Sequence, residues 1–169
     1  MNKGGDVIDT CVLILAMKHT QGGEERSSST LRAYEYLAAL EAEQVAAIVP
    51  SVVVAELLTP MEPAAAAQVW TYLQSNFIVA PFDGRAAVLA AGAMRAALAA
   101  RRAVANPGGP SRHEAKVDGM IVGTALASGA TRIVSFNVDD FKVAGSGVVI
   151  TEPPPVSQNR PLPFNLPPN

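Results

Sequence analysis

The chain reads as an α/β protein with a mainly parallel central sheet, on three observations. Short apolar, β-branched-rich runs recur along it: VIDTCVLIL, VAAIV, FIVA, RIVSF and VVIT. Segments with helical periodicity lie between most of these runs, which is the alternation that parallel strands with helical crossovers require. The composition, 49% apolar and 17% charged over 169 residues, supplies a core for one compact domain.

Taken in order, residues 7–15 form an apolar run that reads as a strand buried on both faces. Residues 18–30 turn polar and carry paired glycines and serines, which predicts a loop. Thr30 is placed to cap a helix whose Leu31, Tyr34, Leu37 and Leu40 share one face. A second strand is expected at 45–49, and Ser51 is placed to cap the helix SVVVAELL. Thr59 and Pro60 end that helix, and another runs over 63–75 with proline in its first turn.

A short strand follows at 77–80, and Asp83 is placed to cap a long Ala-rich helix over 84–101. After the loop ANPGGPSRH, a helix is expected from about Lys116 to Gly129, then a strand at 132–136. A turn around 138–142 leads to a last strand at 148–151. The proline density of TEPPPVSQNRPLPFNLPPN suits neither sheet nor helix. The expected organisation is therefore one ordered domain over 1–151 and an extended, disordered tail over 152–169.

Bulk properties exclude several classes. The formal charge of −2 offers no global attraction for nucleic acid, so such a partner needs a local basic patch or metal ions. Cys11 is the single cysteine, which rules out an intramolecular disulfide, and its apolar setting reads as core packing. His19 and His113 have no zinc-binding spacing. The segment MNKGGDVIDT does not read as a signal peptide, and Arg85 and Arg95 interrupt the Ala-rich stretch, so no membrane span is expected. A soluble cytoplasmic protein is the expectation.

The informative residues are acids set among apolar neighbours. Asp9 falls within or at the end of the first strand, where a buried carboxylate needs a partner or a cation. Carboxyl ends of parallel strands form the ligand crevice of such sheets, although Asp9 can equally cap a turn. Glu56 is flanked by apolar residues in SVVVAELL, and its alternative is a solvent-facing helix position. Asp118, near the start of an apolar helix, also suits the positive end of the helix dipole. Asn137, Asp139 and Asp140 follow RIVSF at another strand end, where Ser135 can orient a carboxylate or a water.

With those residues in place, the sequence resembles the PIN-domain family and, within it, the VapC-like toxins of toxin–antitoxin pairs. The matching stretches are VIDTCVLI, SVVVAELL, KVDGMIVGTALASGATRIVSFNVDDF and VVIT, so the resemblance spans roughly residues 6–151. It implies a three-layer α/β/α fold and an acidic pocket holding Mg²⁺ or Mn²⁺. Asp9, Glu56 and Asp118 match the family's most regular acidic positions. Asn137 stands first at the less regular fourth position, with Asp139 and Asp140 close behind. Because Asn137 is neutral, the number of tightly held metals stays open. The loop at 18–30, the Gly/Pro loop at 106–111 and the tail exceed a minimal domain of this kind.

The chemistry so implied is metal-dependent cleavage of RNA phosphodiester bonds, with Asp9 and Asp118 as main ligands and Glu56 orienting the attacking water. Asn137 and Asp139 would be outer contributors. Arg112 and Lys116, with Arg101, Arg102 and His113, are the candidates for guiding the RNA backbone. A cognate antitoxin and a homodimer are also implied. The alternative is a PIN-like RNA- or protein-binding module with little or no catalysis. An α/β phosphatase ranks lower, because that class wants a second aspartate where Cys11 stands.

Overall fold

A computed structural model describes residues 4–20, 27–103, 114–139, 141 and 147–155. Its elements are β1 (Asp6–Ile8), α1 (Thr10–Thr20), α2 (Ser28–Ala42), β2 (Ala47–Pro50), α3 (Ser51–Leu58), α4 (Pro63–Asn76), β3 (Ile78–Ala80), α5 (Gly84–Ala103), α6 (Glu114–Ser128), β4 (Arg132–Val134) and β5 (Val149–Thr151). The five strands form one sheet in the order β3-β2-β1-β4-β5, and every pairing is parallel. The three-layer α/β/α architecture expected from the sequence is the one observed.

Val7, Ile8, Ile48, Val49, Ile133 and Val134 are buried in the three central strands, which explains why these strands read as unbroken apolar runs. Helices α1 and α2 pack together, and α1 also packs on α3. Helices α5 and α6 form the other extended helix pair. Their close approach depends on a glycine: a Cβ at Gly123 would lie 2.4 Å from the Ala86 carbonyl oxygen and 2.6 Å from the Ala90 Cβ.

The run over residues 7–15 is not one strand. Strand β1 ends at Ile8, and Thr10 opens α1, so the chain reverses its period at Asp9. Val12, Leu13, Ala16 and Met17 are buried at helical spacing along α1. A short run that is apolar throughout fits either period, and here tertiary packing chose both in succession. Helix α1 consequently occupies the first residues of the expected loop.

The caps differ in detail. Ser27, not Thr30, caps α2: its Oγ accepts the Thr30 backbone N–H at 3.2 Å, and the Thr30 hydroxyl donates to the Ser27 carbonyl. Ser51 is the first residue of α3 rather than its cap, and its Oγ accepts the Phe82 N–H at 3.0 Å. Asp83 does cap α5, with Oδ1 accepting the Ala86 N–H at 2.8 Å.

The tail does not start out free of the domain. The Arg32 guanidinium on α2 pairs with Glu152 at 2.8 Å, donates to the Pro153 carbonyl and lies 5.3 Å from the centre of the Phe136 ring. Pro153 is buried beneath these contacts. The expected Gly/Pro loop at 106–111, and the tail beyond residue 155, lie outside the described residues. Among the described residues, no helix is long and apolar enough to cross a membrane.

Candidate functional site

Strand order determines where a site can form. From β1 the chain builds outward through β2 to β3 on one side, then returns to build β4 and β5 on the other. The boundary between β1 and β4 is a topological switch point, where the crevice of a parallel sheet opens at its carboxyl edge. Ile8 is in register with Val134, so Asp9 and Ser135 leave the sheet side by side. The Asp9 N–H donates to the Val134 carbonyl at 3.1 Å.

Asp9 stands at the junction of β1 and α1. Its carbonyl accepts the N–H groups of Val12 and Leu13, which starts α1. Its carboxylate stays in the crevice at 6% exposure. Oδ1 accepts the Thr10 N–H at 2.7 Å, while Oδ2 accepts the Ser135 hydroxyl at 2.7 Å and the Cys11 thiol at 3.0 Å. All these donors are neutral. The ion pairs among the described residues, Arg32 with Glu152 and Arg132 with Asp6, do not involve Asp9.

Cys11 is therefore more than a small core residue. Its Sγ lies 3.4 Å from the Ser135 Oγ and accepts the Phe136 N–H at 3.3 Å. Burial first, and the neighbouring Asp9 charge second, push the thiol up to about 12. At neutral pH the group is a thiol donor to Asp9 rather than a thiolate.

Glu56 reaches the same region from another element. It sits on an exposed face of α3, and its Oε2 accepts the Thr10 hydroxyl at 2.6 Å. Thr10 thus bonds both acids. The Asn137 N–H donates to the Ser135 Oγ at 2.9 Å, so the loop after β4 is tied to the residue that holds Asp9. The side chains of Asn137 and Asp139 are exposed, and both residues line a groove of about 620 Å³ with Phe136, Thr151 and Glu152.

Asp118 lies half-buried on α6, which packs against α3, and Lys116 is exposed two residues earlier. Among the described residues, no three His, Cys, Asp or Glu side chains are grouped so as to hold a metal ion. What is assembled is a pair, Asp9 and Glu56, joined through Thr10. Its hard carboxylate oxygens fit Mg²⁺ or Mn²⁺, and Mg²⁺ needs only one or two protein carboxylates because it keeps several waters. Asp140, Arg112 and His113, and the side chains of Arg101 and Arg102, lie outside the described residues.

Sequence reasoning missed three polar participants. Thr10 and Cys11 were read only as part of an apolar strand, although the step from Asp9 to Thr10 is itself a helix-start signal. Asp6 carries no signal of its own in the sequence. It is 1% exposed and accepts Arg132 Nε at 2.7 Å and the Tyr36 hydroxyl at 2.5 Å. This cluster lies at the opposite end of β1 from Asp9 and ties β1, β4 and α2 together. Burial first and the Asp6 hydrogen bond second raise the Tyr36 phenol well above its usual range, and the same carboxylate raises Arg132.

No family model and no curated protein matches the sequence. Solved structures do match the fold. A DNA-bound VapBC complex from Salmonella typhimurium superposes with a TM-score of 0.59 at 22% identity, covering 88% of this chain and 97% of the other. VapBC2 from Rickettsia felis, bound to a promoter DNA fragment, gives 0.59 at 18% identity over 87% of this chain and 97% of the other. VapC20 from Mycobacterium tuberculosis, a Sarcin-Ricin loop cleaving toxin, gives 0.50 at 14% identity over 86% and 99%. By architecture, the chain has the VapC-like PIN fold.

Proposed function

We propose that the chain is a metal-dependent endoribonuclease of the VapC toxin type, acting at the crevice between β1 and β4. One observation carries the reading: Asp9, buried at the switch point of this fold, receives only neutral donors among the described residues and stands one residue's hydrogen bonds away from Glu56. A carboxylate so placed is suited to a cation. RNA is the proposed substrate because a protein of the same fold is a Sarcin-Ricin loop cleaving toxin.

In this reading Asp9 and Glu56 would hold Mg²⁺ or Mn²⁺, with Asp118 contributing from α6. When bound, the ion supplies charge stabilisation at the phosphoryl oxygens and lowers the pKa of water. Ser135 and Cys11 keep Asp9 in one orientation, and Glu56, on the solvent side, orients the attacking water. Asn137 and Asp139 line the groove along which the strand would lie. Arg112 and Lys116 guide the phosphate backbone toward Asp118. A small antitoxin partner, a homodimer and a cytoplasmic location complete the proposal, supported by likeness to VapBC complexes.

The test is incubation of the purified protein with bulk tRNA in Mg²⁺ and in Mn²⁺, with EDTA and Asp9→Asn as controls. Discrete cleavage that vanishes in both controls is expected. Cleavage that survives Asp9→Asn would place the chemistry elsewhere. The second reading, a PIN-like binding module without catalysis, is favoured by the absence of a three-acid group among the described residues. Absence of both cleavage and Mn²⁺ uptake would support it.

A further inference from the structure

We propose that Thr10 is the positioning residue that sets the separation of the two site carboxylates. This inference rests on the metal-centre reading above and assigns a role to a residue outside the acidic set. Thr10 uses two groups at once: its N–H holds Asp9 Oδ1 at 2.7 Å and its hydroxyl holds Glu56 Oε2 at 2.6 Å. Its β-branched side chain has restricted rotation, so the hydroxyl direction is coupled to the backbone that carries the N–H. The two acids are thereby referenced to one stiff unit.

The remaining contacts decide which acid Thr10 controls. Asp9 is already held on its other oxygen by Ser135 and Cys11. Glu56 is exposed on α3, with more rotational freedom to lose. Its bond to Thr10 therefore draws Glu56 toward a fixed Asp9, rather than the reverse. Two like charges brought together without a cation repel, and a hydroxyl donor at Glu56 offsets part of that repulsion. A tether that merely joined α1 to α3 would have no consequence for metal affinity, and this separates the two roles.

The experiment measures binding of Mn²⁺ alone by calorimetry to the full chain, to Thr10→Val, Thr10→Ser, Glu56→Gln and the Thr10→Val/Glu56→Gln double variant. Thermal melting in EDTA monitors the fold. Valine keeps the β-branch and the N–H but removes the hydroxyl. Thr10→Ala makes the same comparison should valine disturb the α1–α3 packing. Thr10→Val is expected to weaken Mn²⁺ binding on the order of 10-fold, as loss of a ligand-orienting partner does, while Thr10→Ser restores it. The double variant should bind no more weakly than Glu56→Gln, because Thr10 acts through Glu56. Unchanged affinity in Thr10→Val, failure of serine to restore it, or additive losses in the double variant would each overturn the inference. Absence of Mn²⁺ uptake by the unaltered chain is a separate result: it removes the metal centre itself, and the role of Thr10 with it.

Discussion

Two buried aspartates at the two ends of β1, Asp6 opening the strand and Asp9 just beyond its last residue, have opposite chemical settings. Asp6 is paired with Arg132 and Tyr36, whereas Asp9 receives only neutral donors. The first arrangement is structural. Removing the Tyr36 hydroxyl with Tyr36→Phe should destabilise the fold by about 1.5–3 kcal/mol, the usual worth of a hydrogen bond to a charged group, as read by urea denaturation. The same variant should change the alkaline limb of stability. The folded phenol holds its proton more tightly than an ordinary tyrosine, so its contribution is intact below pH ~10 and is lost as the pH rises above that value. Tyr36→Phe should flatten that decline; an unaltered decline would mean that another group causes it. At the site, Ser135→Ala should also cost about 1.5–3 kcal/mol in EDTA, because Asp9 loses a donor. Asp9 was legible in the sequence as an acid amid apolar residues. Asp6 was not, since the pairing that explains it comes from residues 30 and 126 positions away.

At the scale of elements, the reading was most accurate where chemistry punctuates the chain. Pro63 at the start of α4 and Asp83 ahead of α5 mark helix starts through mechanisms that act locally. It failed where local signals are weak. The run over residues 7–15 contains no glycine or proline to separate β1 from α1, and the helix-start signal of Asp9 and Thr10 is masked by apolar residues on both sides. The close α5–α6 contact was likewise invisible, because glycine in an apolar helix reads simply as a weak helix former. Gly123→Ala tests that contact. Helix propensity alone predicts stabilisation of up to about 1 kcal/mol. The clash with Ala86 and Ala90 predicts a net loss of about 1–3 kcal/mol instead. A raised urea midpoint in Gly123→Ala would contradict the packing described for these helices.

At the scale of the whole molecule, the site is a product of strand order. Asp9 and Ser135 are far apart in sequence and meet only because β4 returns to pair with β1. The family resemblance anticipated the architecture. Thr10 links two of the acids that the resemblance singles out, Asp9 and Glu56, while Asp118 stands half-buried on α6. The segment after β5 belongs to the same framework through Arg32, and Arg32→Ala should release it. A spin label on Pro154→Cys should become more mobile in that variant, and unchanged mobility would show that Arg32 is not the anchor. The crevice between β1 and β4 is the proposed metal centre. Its most direct test is anomalous diffraction from a crystal of the protein grown with Mn²⁺. A peak within coordination distance of Asp9 and Glu56 is expected. A well-ordered crystal with both carboxylates free of metal at millimolar Mn²⁺ would contradict it.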